Sequence, residues 1–155
     1  MIRLPTHAIT LHGPWLWAIL NLGKDIENRG AGFPRCSGWY WLHASKAQSP
    51  TQTRQDLERV EYMGRRAGRW LDNPPTVEHL LSLRGQICGA VEVLGRVTSS
   101  RSLWFVGPTG LQLGRRFALP KLVPAVGALG VWKAPHFDVP DGFLKHLQRG
   151  GIVDG

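Results

Sequence analysis

A chain of 155 residues makes one domain with a buried core, and 43% hydrophobic against 19% charged residues is a soluble, globular composition. Nineteen lysines and arginines against eleven aspartates and glutamates leave a formal charge of +8, which favours a polyanionic partner or simply keeps a basic protein in solution. No apolar run approaches the ~20 residues of a spanning helix and the amino terminus lacks a signal-peptide apolar region, so a cytoplasmic protein without a membrane partner is expected.

The two cysteines, Cys36 and Cys88, lie far apart, and neither sits in a CxxC or CxxH pair. Reduced, partly buried thiols follow, rather than a disulfide framework or a zinc site. The six histidines (His7, His12, His43, His79, His136 and His146) are equally scattered. No metal and no cofactor is expected.

In chain order, "PWLWAILNLG" predicts a short amphipathic helix: Pro14 at a first helical position, Leu16, Ile19 and Leu20 at helical spacing, and Gly23 as the stop. "KDIENR" and "SGWYWLHAS" predict strands. If residues 39 to 45 are extended, Trp39, Trp41, His43 and Ser45 share one face while Tyr40, Leu42 and Ala44 share the other, so both faces are buried. Residues 51 to 72 predict the longest helix, with Ser49 and Pro50 as its cap and first turn and the pair Pro74-Pro75 as its end. Thr76 caps a short helix through "VEHLLSL". From residue 85 the chain turns to β: "GQICGAVEVLGRV", then short strands such as "LWFVG", "RRFALP" and "LGVWKAP". The tail "PDGFLKHLQRG" predicts a last helix with Phe143, Leu144 and Leu147 facing inward. This order lacks a βαβ alternation, so the expected fold class is α+β: a small mixed or antiparallel β-barrel with helices packed around it. Residues 1 to 155 form a single domain with a helical insertion at about 50 to 83.

The charges of "KDIENR" raise the question of a site. In an extended strand Glu27 and Arg29 point one way and Lys24 and Ile26 the other, so Lys24 joins the pair only if the chain bends at Gly23 or Lys24, a bend a glycine favours. The alternative is an ordinary ion pair on a wet strand face, contributing ~0 to 1 kcal/mol. Glu92 shares its predicted strand face with Cys88, Ala90 and Leu94. A carboxylate in such surroundings is either paired or functional, and a lysine or arginine of the "KDIENR" strand is the partner to expect. A lysine with two carboxylates in a dry pocket suits proton transfer; a buried ion pair joining two strands is the structural alternative. Arg65, Arg66 and Arg69, balanced by Asp56, Glu58 and Glu61, read as a solvated helix face, whereas Arg115 and Arg116 have no acidic neighbours and are the expected phosphate contacts.

The segments "ITLHGPWLWAILNLGKDIENR", "GWYWLHASK", "GAVEVLGRV", "LWFVGPTGLQL" and "GALGVWKAP", in this order, resemble the ASCH domain (activating signal cointegrator homology) of the PUA-like superfamily, over most of the chain apart from residues 50 to 80. The pattern departs at Leu22, where the family has a glycine, and at Gly130-Val131-Trp132, where the family closes with Gly-Leu-Trp. The resemblance implies a PUA-type barrel and a cleft between barrel and helices, lined by His12, Trp15, Lys24, Glu27, Arg29, Ser45, Lys46 and Glu92. It also implies a partner: RNA, another single-stranded nucleic acid, or a nucleoside with a modified base, bound by a monomer. Trp15, and after it Trp104, are the base-stacking candidates among seven tryptophans, most of which belong in the core.

The same resemblance opens an enzymatic alternative. Some small proteins similar to this family hydrolyse acetylated cytidine with a Lys, a Thr and a Glu, and others are ribonucleases. Carried onto this chain, the catalytic set is Lys24, Glu27 and Glu92, with a glutamate where those proteins have a threonine. Glutamate can serve as a base but not as a hydroxyl nucleophile.

Overall fold

Pro14 and Gly23 bracket the first helix in the computed structural model, which describes residues 4 to 29, 37 to 143 and 145. β1 (His7–Leu11) leads into α1 (Gly13–Asn21), and β2 (Ile26–Asn28) follows. Proline's fixed φ and missing N–H suit the first helical turn, and Gly23, at φ +67, turns the chain out of the helix at low cost. Then come β3 (Gly38–Ala44), α2 (Pro50–Arg66), α3 (Val77–Ser82), β4 (Gln86–Val97), β5 (Gly110–Pro124) and β6 (Val131–Lys133). Residues 141 to 143 form a helical turn.

The six strands form one sheet in the order β2-β5-β4-β3-β1-β6, curled into a half-barrel. Every pair is antiparallel except β1 with β3, so the fold is mixed α+β. Register shifts in the β4–β5 ladder, between Ile87 and Gly89 and on either side of Val93, add the twist that curls it.

Both faces of the sheet are buried, as the alternation in β3 predicts. Tyr40, Leu42 and Ala44 join Leu16, Ile19 and Val60 in a core between the sheet and the helices. Trp41, with Ala90, Leu119 and Phe143, builds the second core on the opposite face. Cys88 is buried and free, and desolvation pushes its thiol up to about 12. Cys36, Leu144 and Leu147 lie outside the described residues. Among the described residues no helix is long and apolar enough to cross a membrane.

Ser49 caps α2 through a capping box with Gln52, and Thr76 caps α3 by accepting from the His79 amide at 3.0 Å. The end of α2 differs from expectation. It stops at Arg66, ahead of the prolines, because Gly68 takes a left-handed φ of +69 and the amides of Gly68 and Arg69 bond back to Arg65 and Gly64. "LWFVG" is a loop rather than a strand, β5 is one continuous strand, and β1 was not signalled by any alternating run.

The close approach of β4 to β5 can be tested. A Cβ on Gly89 would lie 2.4 Å from the Phe117 carbonyl oxygen and 3.0 Å from Leu20 Cδ2, so it meets backbone that cannot swing aside. Gly89→Ala is expected to cost at least about 2 kcal/mol, read as a lowered urea midpoint at unchanged slope.

Candidate functional site

Lys24 is the centre of the site. The turn at Gly23 folds its side chain back under α1, where it is fully buried, and Nζ donates to the Ile26 carbonyl. Nζ lies 3.8 Å from Glu27 Oε1 and 5.6 Å from the centre of the Trp15 ring. Burial pulls the Lys24 amine below its ordinary value of 10.5; Glu27 opposes that shift, while Arg29 adds to it. The bend that parity requires has therefore occurred, and Lys24 and Glu27 meet. The other oxygen of Glu27, Oε2, is buried and has no hydrogen-bond partner among the described residues. An unsatisfied buried acceptor of this kind costs about 1 to 3 kcal/mol, which a ligand donor would recover.

Above this pair opens a hollow of about 1110 Å³. Its floor is Trp15, Lys24, Glu27 and Asn28; α2 supplies Arg59, Tyr62 and Arg66 as one wall, and the loop at 102 to 106 supplies Phe105 as another. Asn28 fixes that loop from both ends of its amide, donating to the Trp104 carbonyl at 3.0 Å and accepting from the Val106 amide at 2.8 Å. Arg116 holds the opposite side of the turn by donating to the carbonyls of Ile19 and Lys24. Three aromatic rings, three cations and two carboxylates, Glu27 and Glu58, thus share one concavity.

A smaller hollow of about 300 Å³ adjoins it through Trp15, Glu27 and Asn28, and is bounded further by His12, Arg29 and Ser45. Here His12 Nδ1 meets Asp56 Oδ2 at 3.0 Å, and the same oxygen accepts from Gln48 Nε2 at 2.9 Å. Gln48 in turn accepts from the Gly13 amide at 2.9 Å, one of the amides at the start of α1 that has no helical partner. The carboxylate fixes the proton on Nδ1, so Nε2 is the ring nitrogen left for the hollow. Arg29 donates to the Thr10 carbonyl at 3.0 Å. Ser45 also borders a third hollow, of about 600 Å³, which holds Lys46.

His12, Trp15, Lys24, Glu27, Arg29 and Ser45 are therefore brought together, with Lys46 beyond them. The remaining expected site residues are elsewhere. Glu92 is not the second carboxylate of the Lys24 cluster: its strand neighbours Val91 and Val93 point into the helix-side core, so Glu92 faces the other side of the sheet. There it takes a bidentate pair from Arg115 at 3.1 and 2.8 Å, and Arg115 packs over Trp39. Glu92 is thus paired, by a cation from β5 instead of β2. Arg115 is accordingly not an unneutralised phosphate contact, and Arg116 is committed to backbone carbonyls. Trp104 is core, 3% exposed, and offers the site only its carbonyl.

Six contributors went unpredicted: Asn28, Gln48, Arg59, Tyr62, Phe105 and the buried Asp56. Tyr62 and Arg66 occupy a helix face whose charges balance, which reads as solvated; the aromatic ring on that face, 62% exposed, was the available signal. Among the described residues no group of three or more His, Cys, Asp or Glu side chains is arranged to hold a metal ion.

No protein-family model matches the chain, and no curated protein matches it significantly.

Burial of Lys24 sets the sign of one pH effect. Its amine holds a proton more weakly in the folded protein than in the unfolded chain, so the unfolded state binds more protons as pH climbs towards 10.5 and stability rises across that window. Urea midpoints at pH 7 and pH 9.5 should therefore diverge in the wild type in favour of the higher pH, by more than in Lys24→Met, which lacks the group.

Proposed function

We propose that the protein is an ASCH-type domain of the PUA-like superfamily that binds single-stranded nucleic acid, RNA foremost, by taking one base into the hollow over Lys24 and Glu27. The observation that carries this reading is the buried Lys24–Glu27 pair at the floor of an aromatic-lined cavity, a carboxylate that keeps one oxygen without a hydrogen-bond partner among the described residues. The Glu27 carboxylate suits a base edge presenting an N–H, while Trp15, Tyr62 or Phe105 supplies a stacking surface and Arg66 holds phosphate. The formal charge of +8 supports a polyanionic ligand.

A hydrolytic reading has one observation in its favour, the lowered proton affinity of the Lys24 amine. A lysine that burial makes readier to give up its proton can, once neutral, take a proton from water or attack a carbonyl, so acetylated cytidine or RNA would be the substrate. With Glu92 on the other face of the sheet, that chemistry rests on Lys24 and Glu27 alone. Turnover lost in Lys24→Ala and kept in Glu92→Ala would establish it; binding without turnover in the wild type leaves the binding domain.

Trp15→Ala tests the base-binding reading directly. Loss of one stacked base, worth about 1 to 3 kcal/mol, should weaken binding of a short single-stranded RNA by about 5- to 150-fold in a fluorescence titration. Tight binding that is indifferent to Trp15→Ala would put the ligand elsewhere.

A further inference from the structure

We infer that the ligand is a strand rather than a lone nucleoside, and that the third hollow, between Lys46 and Arg84, holds a phosphodiester of that strand. This rests on the nucleic-acid reading above and extends it to a second subsite.

Continuity comes first. The hollow over Lys24 shares Trp15, Glu27 and Asn28 with the small hollow beside it, and that one shares Thr10, Ser45 and Leu129 with the third. The three therefore adjoin in a row, from the α2 wall, past His12 and Arg29, to the segment at 125 to 129. A single nucleoside occupies one end of such a row; a strand spans it.

Charge then differs between the two ends. The hollow over Lys24 mixes cations with Glu27 and Glu58, the pattern of a place that reads donors as well as phosphate. The third hollow has Lys46 and Arg84 and, among its described lining residues, no carboxylate. Cations without a neutralising acid set a positive potential that suits a phosphodiester and carries no base preference.

Arg84 is also held in position. Its Nε donates to the Leu81 carbonyl at 3.1 Å and its Nη1 to the Gln48 carbonyl at 3.0 Å, both uncharged partners that fix the guanidinium without cancelling it. Gly85 beside it bonds Ala44 and Ala125, which joins the ends of β3 and β5 under the hollow, and the Lys46 stem runs within 3.8 Å of where a Gly85 Cβ would be. The floor adds no competing charge: His43 Nε2 donates to the Ala125 carbonyl at 2.9 Å and Nδ1 accepts from Thr10 Oγ1 at 3.1 Å, the bonding of a neutral ring. That Thr10 oxygen accepts from Trp132 Nε1 at 2.7 Å, so the arrangement is complete without a bound ion.

The test compares an end-labelled single-stranded RNA hexamer with its constituent nucleosides and with inorganic phosphate, on wild type, Lys46→Gln/Arg84→Gln and Trp15→Ala. The double variant should bind the hexamer about tenfold or more weakly at low salt. Its slope of log affinity against log salt should be shallower by about 0.7, the release expected for one single-strand phosphate contact. Nucleoside affinity should stay at the wild-type value, and Trp15→Ala should weaken both ligands. Lys46→Glu alone, at an exposed side chain, gives the same reading if loss of the Arg84 bonds unfolds the double variant. Unchanged hexamer affinity and salt slope, or a hexamer bound no more tightly than a nucleoside by the wild type, would overturn the strand while leaving the base-binding reading intact. Saturable binding of inorganic phosphate that accounts for the whole effect of the double variant would also overturn it, since the hollow would then be a small-anion site. If the wild type binds neither hexamer nor nucleoside, both readings fall together.

Discussion

Taking the Lys24 ammonium out of water is the constraint around which this end of the molecule is arranged. An isolated charge in a protein interior carries a penalty of several kcal/mol, and it is tolerated only where the chain itself supplies the missing solvation. Here the Ile26 carbonyl, the Glu27 carboxylate and the face of Trp15 surround it. Each of these groups comes from β2 or from α1, so the chain direction after Gly23 has to be held closely. Arg116 does this from β5 through the carbonyls of Ile19 and Lys24, and β2 does it by pairing with β5.

The walls of the hollow depend on the same restraint. Asn28 follows Glu27 along β2 and secures the loop that carries Phe105, while the Ser102 hydroxyl reaches Asp25. A displacement of β2 would thus move the floor and one wall together. On the other flank, Asp56 joins α2 to the start of α1 through His12 and Gln48, which sets the distance between the second wall and Trp15. The concavity is therefore a consequence of three polar linkages between elements far apart in the chain, and not of apolar packing alone.

This explains which parts are legible in the sequence. α1, the caps at Ser49 and Thr76, and the two-faced burial of β3 are local matters, set by proline, hydroxyl and alternation patterns, and they read directly. The turn that brings Lys24 to Glu27 is local too, announced by Gly23. β1 does not read: five residues, buried on both faces and running straight into a helix, are strand only because β3 and β6 lie on either side. Glu92 illustrates the harder limit. Its apolar strand neighbours mark it as a carboxylate in need of a partner, but which cation answers depends on the face it points to. Register shifts in β4 and the pairing of β4 with β5 decide that, and neither is visible in a single strand's letters. Tyr62 and Asn28 likewise matter through what they face across the fold.

The position of α2 has one more consequence. The helix belongs to an excursion between β3 and β4, neighbouring antiparallel strands whose ladder does not include it. The buried lysine and its carboxylate, in contrast, hang from the framework of strands. Exposed side chains at 59, 62 and 66 can be exchanged without touching a single rung of the sheet. Cavity wall and scaffold are thereby uncoupled, and the outer contour of the cavity is free to vary while its buried floor stays put.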